Sequence, residues 1–99
     1  MPGVTLAGEA ASGLEAVEQI PRLAPDVVLL DLQMSGLDGF SVARTLRGAR
    51  LPLVIYVTAF ESHALQAFET GAVDYLLKPV RRERLAGALE KARATLAGL

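Results

Sequence analysis

The chain has 99 residues, enough for one domain with a real core and too few for two. Apolar residues make up 52% and charged residues 21%, which excludes a disordered chain, and a formal net charge of −1 gives no electrostatic case for gripping nucleic acid or an anionic membrane. With no cysteine, disulfides, thiol chemistry and cysteine–metal sites are excluded as well.

The elements alternate along the chain. Residues 4–7 (VTLA) are expected to form a short strand. Ser12 with Glu15 reads as a capping box opening a helix, with Leu14, Val17 and Ile20 facing inward and Pro21 near its end. Residues 26–31 form a strand that is apolar on both faces, the mark of a parallel sheet covered on both sides. After a turn over residues 35–39, Phe40, Ala43 and Leu46 line one face of a second helix, with Arg44 and Arg47 off that face.

Pro52 punctuates, and residues 53–57 (LVIYV) form another buried strand. Ser62 can cap a third helix that buries Leu65 and Phe68 and stops at Gly71, a residue suited to the left-handed region. Residues 73–77 (VDYLL) make a last strand, closed by Lys78-Pro79. A final helix from about Arg82 carries the stripe Leu85, Leu89, Ala92 and Leu96. This βαβαβαβα order predicts a parallel α/β sheet, in which chemistry gathers at the carboxyl ends of the strands.

The stretch VVLLDLQMSGLDG (27–39) sends an apolar strand straight into Asp31 and then into a glycine-containing loop. Alone, Asp31 reads as a turn or cap residue, Thr58 as a satisfied strand hydroxyl, Lys78 as a solvated charge and Pro79 as a strand terminator. Together, Asp31, Thr58 and Lys78 occupy the ends of three strands, and parallel neighbours would bring them to one rim. That set suits phosphoryl transfer to a carboxylate. Asp31 would attack phosphorus, Lys78 neutralise a phosphoryl oxygen and Thr58 donate a hydrogen bond to another. Ala59 would keep the approach uncrowded and add a backbone N–H, and a cis Lys78-Pro79 bond could aim the lysine.

The sequence resembles the receiver domain of two-component response regulators over nearly its whole length from Val4. The matching segments are DVVLLDLQM (26–34) with Asp38-Gly39, then Val57-Thr58-Ala59, then DYLLKP (74–79). ALQAFE (64–69) with Gly71-Ala72 is most similar to receivers that accompany LytTR-type DNA-binding domains.

The resemblance implies a flavodoxin-like, doubly wound parallel sheet, reduced to about four strands and four helices, in one receiver-like domain over residues 1–99 with no effector domain. It implies Asp31 as phosphoacceptor, Thr58 as switch hydroxyl, Lys78 as phosphate-contacting lysine and Tyr75 as switch aromatic. A magnesium ion would be held weakly by Asp31 and the backbone carbonyl of Gln33. The implied partner is a sensor histidine kinase or a small phosphodonor, with no enzymatic turnover beyond self-phosphorylation. The implied location is cytoplasmic, in keeping with Met1-Pro2-Gly3, which has no signal-peptide character, and with the absence of an apolar run near the roughly 20 residues of a membrane-spanning helix.

Two departures stand out. Ser35 occupies the usual place of a proline. Receivers also begin with a strand ending in two acidic residues, followed by a helix, whereas this chain starts at what matches the second strand. In the order 2-1-3-4-5 the missing strand is central. Without its acids, Asp31 lacks carboxylate partners for magnesium, which prefers six oxygens in an octahedron.

Residues 4–7 and 27–30 would then either close up side by side or leave a slot for another chain; if they close up, Glu9 would end near Asp31 as a substitute acid. The face of Leu85, Leu89 and Ala92 would lose its covering helix, so self-association is expected.

The rival reading is a receiver-like module that cannot be phosphorylated and works through protein contacts alone. A haloacid-dehalogenase-like phosphatase ranks lower, because Gln33 stands where its second aspartate is needed. A Rossmann nucleotide site ranks lower still, since no G-x-G-x-x-G follows a strand. The single histidine, His63, has no partner at metal spacing and reads as a surface residue. Arg81, Arg82 and Arg84 read as a solvated basic face and not as a nucleic-acid patch, and neither nucleic acid nor membrane is expected as a partner.

Overall fold

The computed structural model describes residues 3–33, 39–45, 52–59 and 71–98. Among them are helix α1 (Gly13–Leu23), strand β1 (Val27–Asp31), helix α2 (Gly39–Thr45), strands β2 (Leu53–Thr58) and β3 (Asp74–Leu77), and helix α3 (Arg82–Ala97). The strands form one parallel sheet in the order β1-β2-β3. Its register pairs Leu29 with Ile55 and Asp31 with Val57, and Tyr56 with Tyr75 and Thr58 with Leu77.

Helix α1 starts where its cap chemistry dictates. Ser12 is extended, and its Oγ accepts the Glu15 N–H at 3.2 Å, satisfying a donor that has no partner within the helix. The Glu15 carboxylate reaches back to the Ala11 N–H at 3.1 Å and also accepts from the Gln19 side chain at 2.8 Å. The helix ends at Ala24, which is left-handed (φ 47°) and donates its N–H to the Ile20 carbonyl at 2.9 Å. Pro21 sits inside the last turn, as its place near the end implied.

Two expectations for this region are corrected. Leu14 does not face inward: it is 66% exposed, while Ala16 and Ile20 are buried. Two residues correspond to about 200° around a helix, so the face that buries Ala16, Ile20 and, in part, Val17 turns Leu14 to solvent. Residues 4–7 do not form a strand, and Val4 and Leu6 lie 45% and 75% exposed. A short alternating segment gains its stability from ladder bonds and cross-strand packing, and this one has not paired with β1. It runs instead from Gly3, beside the Arg93 guanidinium of α3, to Gly8, against Leu23 of α1. The described sheet therefore has three strands.

The core lies on both faces of β2, which explains why that strand is apolar at successive positions. On one face Ala16, Ile20, Leu30, Phe40, Val42 and Tyr56 pack together, with the Phe40 and Tyr56 ring centroids 4.7 Å apart. On the other face Ile55 and Leu76 meet Ala88 and Ala92 of α3. The two alanines let the helix axis approach the sheet closely, and Leu85 and Leu89 pack at the edges of the contact. Helices thus cover both faces, the doubly wound arrangement that the strand pattern implied.

The stripe of α3 is consequently not the bare surface. Among the described strand residues, Leu29 of β1 is exposed on that side of the sheet, at 48%. Gly71 is left-handed (φ 77°), as expected for a helix stop. Ser62, His63, Leu65 and Phe68 of the expected third helix lie outside the described residues, as do Leu46, Arg47, Ser35 and Asp38.

Candidate functional site

The parallel register brings three strand ends to one rim. Asp31 closes β1, Thr58 closes β2, and Lys78 follows β3, with its N–H extending the ladder to the Thr58 carbonyl at 2.8 Å. The start of α2 abuts this rim. A Cβ on Gly39 would lie 3.0 Å from the Asp31 carbonyl oxygen and 2.8 Å from the Leu32 side chain, so only glycine fits there without displacing a neighbour.

Asp31 and Lys78 sit on strands that flank β2, roughly two strand spacings (about 10 Å) apart at the backbone. The length of the lysine spans that gap: its Nζ donates to Asp31 Oδ2 at 2.5 Å. Asp31 Oδ1 accepts the Gln33 N–H at 2.8 Å, so both carboxylate oxygens are engaged. Partial burial pushes the Asp31 carboxyl up, but the Lys78 hydrogen bond, the Gln33 N–H and the Lys78 charge outweigh it and hold the group below its ordinary value. The carboxylate is therefore ionised at neutral pH and one-third exposed at a strand end, where an electrophile can reach it.

Thr58 is fully buried, one residue beyond the register partner of Asp31. Counting by twos along β2 groups Thr58 with Tyr56, which is the partner of Tyr75. Tyr75 itself is half-buried and packs against the cluster that contains Tyr56. Threonine and tyrosine thus share one side of the sheet at diagonal positions. Ala59 and Pro79 are exposed beside the rim, and the Lys78-Pro79 peptide bond is cis.

The donor set for magnesium is small. The resemblance to receiver domains implies magnesium at this rim, and an octahedral ion needs six oxygens from protein, water and phosphate together. Here the described donors are one carboxylate, already held by an ammonium, and the Gln33 carbonyl. No group of three or more Asp, Glu, His or Cys side chains converges among the described residues. The condition under which Glu9 would supply a second acid, pairing of residues 4–7 with β1, is not met. The described residues do not by themselves fit a magnesium ion.

A second polar constellation escaped the sequence reading. Arg84, expected on a solvated face, forms a two-pronged ion pair with Asp74, with distances of 2.8 Å to Oδ2 and 2.7 Å to Oδ1. The Arg84 hydrogen bond, with help from the Tyr75 N–H and the Arg84 and Lys91 charges, lowers the Asp74 carboxyl despite opposing burial. Its partner guanidinium is raised by the same bond.

A carboxyl lowered on folding contributes stability that is full above the ordinary carboxylate range and is lost as pH falls through its folded-state value. Arg84 is half exposed, so solvent screening limits the pair to about 1 kcal/mol. Asp74→Asn should cost about that much at neutral pH, and the gap should close in acid, as read by urea unfolding at both pH values. An equal gap at both would show that the pair contributes no acid-labile stability.

The family of the chain follows from comparison with known proteins. The model of the response regulator receiver domain matches residues 2–90. The chain is 52% identical over 84 residues to the positive alginate biosynthesis regulatory protein of Pseudomonas aeruginosa, covering 84% of this chain and 34% of that protein. It is 40% identical over 89 residues to the sensory transduction protein LytT of Bacillus cereus, covering 89% of this chain and 36% of that protein.

The chain thus spans about a third of the length of these relatives. Among solved structures it resembles the REC domain of AraT, a response regulator from Geobacillus stearothermophilus, at 31% identity with a TM-score of 0.86; the match covers 96% of this chain and 76% of that one. No described helix is long and apolar enough to cross a membrane. With strand-end Asp31 and Lys78 in contact on a doubly wound parallel sheet, this chain belongs to the response regulator receiver domain family of two-component signalling.

Proposed function

We propose that the chain accepts a phosphoryl group on Asp31 and switches protein contacts through Thr58 and Tyr75. The observation that carries this reading is the contact of an ionised, partly exposed Asp31 carboxylate with the Lys78 ammonium at the carboxyl edge of the sheet. An Asp31 oxygen attacks phosphorus of a sensor kinase's phosphohistidine, or of a small acyl phosphate. The P–N or P–O bond to the donor breaks, and the leaving imidazole or carboxylate keeps the electron pair. Lys78 then passes from the carboxylate to a phosphoryl oxygen, where it neutralises the charge that the new group brings.

Thr58 donates its hydroxyl to another phosphoryl oxygen, with Ala59 leaving the approach open. Because Thr58 and Tyr75 share a side of the sheet, movement of the first alters the space available to the ring of the second. The readout is a change of partner at that surface, a local charge biasing a two-state element. The chain turns over no substrate in this scheme.

A second reading is favoured by one observation, the small donor set around Asp31. On that reading the domain works through protein contacts alone, including self-association through apolar residues left exposed, such as Leu29. One experiment separates the two. Acetyl phosphate or beryllofluoride in magnesium buffer should give an adduct in the intact mass that is absent from Asp31→Asn. No adduct on the unsubstituted chain would sink the phosphoacceptor reading, and a monomeric mass by light scattering on the same samples would sink self-association.

A further inference from the structure

The Asp74–Arg84 pair does more than join β3 to α3. Asp74 Oδ1, which takes one prong of the guanidinium, also accepts the Tyr75 N–H at 2.8 Å. Arg84 Nη2, which supplies that prong, also donates to the Tyr75 carbonyl at 3.3 Å. The peptide N–H and C=O of Tyr75 are thus both bound by members of one ion pair. Asp74 is largely buried, with its side chain 12% exposed, so its hydrogen bonds are shielded on that side. The Tyr75 ring lies on the opposite side of the sheet from α3, against the cluster that includes Tyr56.

We propose that Asp74 and Arg84 are positioning residues for Tyr75. They hold its backbone between β3 and the first turn of α3, so that the ring has one defined resting position from which to move. This rests on Tyr75 being the switch aromatic and adds the parts that set its resting state. Without the clamp, the β3 backbone would share the displacement that should belong to the ring alone, and the unmodified chain would sample more than one ring position. The alignment is specific to arginine: a lysine can keep the charge, but a single ammonium cannot span both carboxylate oxygens and the Tyr75 carbonyl.

The test uses fluorotyrosine and fluorine NMR on the unmodified chain. Only two tyrosines are present, and Tyr75→Phe assigns the signals. The parent chain should show a single dominant Tyr75 resonance. In Arg84→Ala a second Tyr75 resonance should gain roughly tenfold relative to the first, while the Tyr56 signal stays in place. Asp74→Asn, which keeps an acceptor for the Tyr75 N–H but loosens its hold on Arg84, should show a smaller change. Arg84→Lys should recover most of the thermal stability but only part of the Tyr75 signal.

A Tyr75 resonance unchanged in folded Arg84→Ala would overturn the proposal. So would equal shifts of Tyr56 and Tyr75, which would mean general loosening. Acetyl phosphate treatment of the parent chain, followed by intact mass, is run alongside. Absence of an adduct there would overturn the phosphoacceptor reading while leaving the resonance result to decide the positioning role.

Discussion

Lys78→Ala is expected to slow phosphoryl uptake on Asp31 about a hundredfold, the usual consequence of removing one preorganised donor from a developing anion. The effect should be large because, in the proposed transfer, Lys78 would act at two stages. Before transfer its ammonium holds Asp31 Oδ2, and after transfer it would stand beside the added charge. A second readout is independent of transfer. With the lysine gone, burial acts against only the Gln33 N–H, so the Asp31 carboxyl should titrate at higher pH than in the parent chain. Carbon NMR of the carboxyl measures that direction, and an unchanged titration would show that the Asp31–Lys78 contact does not form in solution.

Ile55→Ala is expected to lower stability by about 2–5 kcal/mol, the range for deleting a large aliphatic side chain from a packed interior. Ile55 is fully buried at the middle of the central strand, between Leu29 and Asp74 in register, and packs with Leu76, Ala88 and Ala92. A domain of this size has only about 5–15 kcal/mol in total, so the variant should sit close to its unfolding threshold at room temperature. Leu14→Ala makes the contrast. Leu14 has as many side-chain carbons as the buried Ile20 of the same helix, but it is 66% exposed and should change stability by less than about 0.5 kcal/mol. Urea unfolding reads both, and similar losses for the two would contradict the placement of the core.

The candidate site was legible in the sequence because parallel strands end at the same rim. Once residues 27–31, 53–58 and 74–77 are read as neighbouring strands, Asp31, Thr58 and Lys78 must lie near one another whatever the loops do. The Asp74–Arg84 pair was not legible. Its members are ten residues apart across a strand, a cis-proline turn and a helix start, and no periodicity marks such a spacing. Gly39 shows a related limit. A glycine at a helix start reads as turn chemistry, and only the packed structure shows the Asp31 carbonyl and the Leu32 side chain occupying the space of a Cβ.

What the sequence by itself determined was the order of the described helices and strands from α1 onward, the apolar character of both faces of β2, the Ser12 cap and the residues that converge at the strand ends. These follow from local periodicity, capping and strand direction, which act within a few residues. Only the tertiary structure decided that residues 4–7 lie unpaired, that Leu14 faces solvent while Ala16 is buried, and that Arg84 holds Asp74. Strand formation needs a partner edge, burial depends on which side of a helix meets the sheet, and an ion pair needs two distant side chains brought within reach. None of these is encoded by spacing alone. The sequence marked Asp31 as a candidate only in company with Thr58 and Lys78, and the Lys78 ammonium that helps to lower its carboxyl became its partner only when β1 and β3 flanked the same strand.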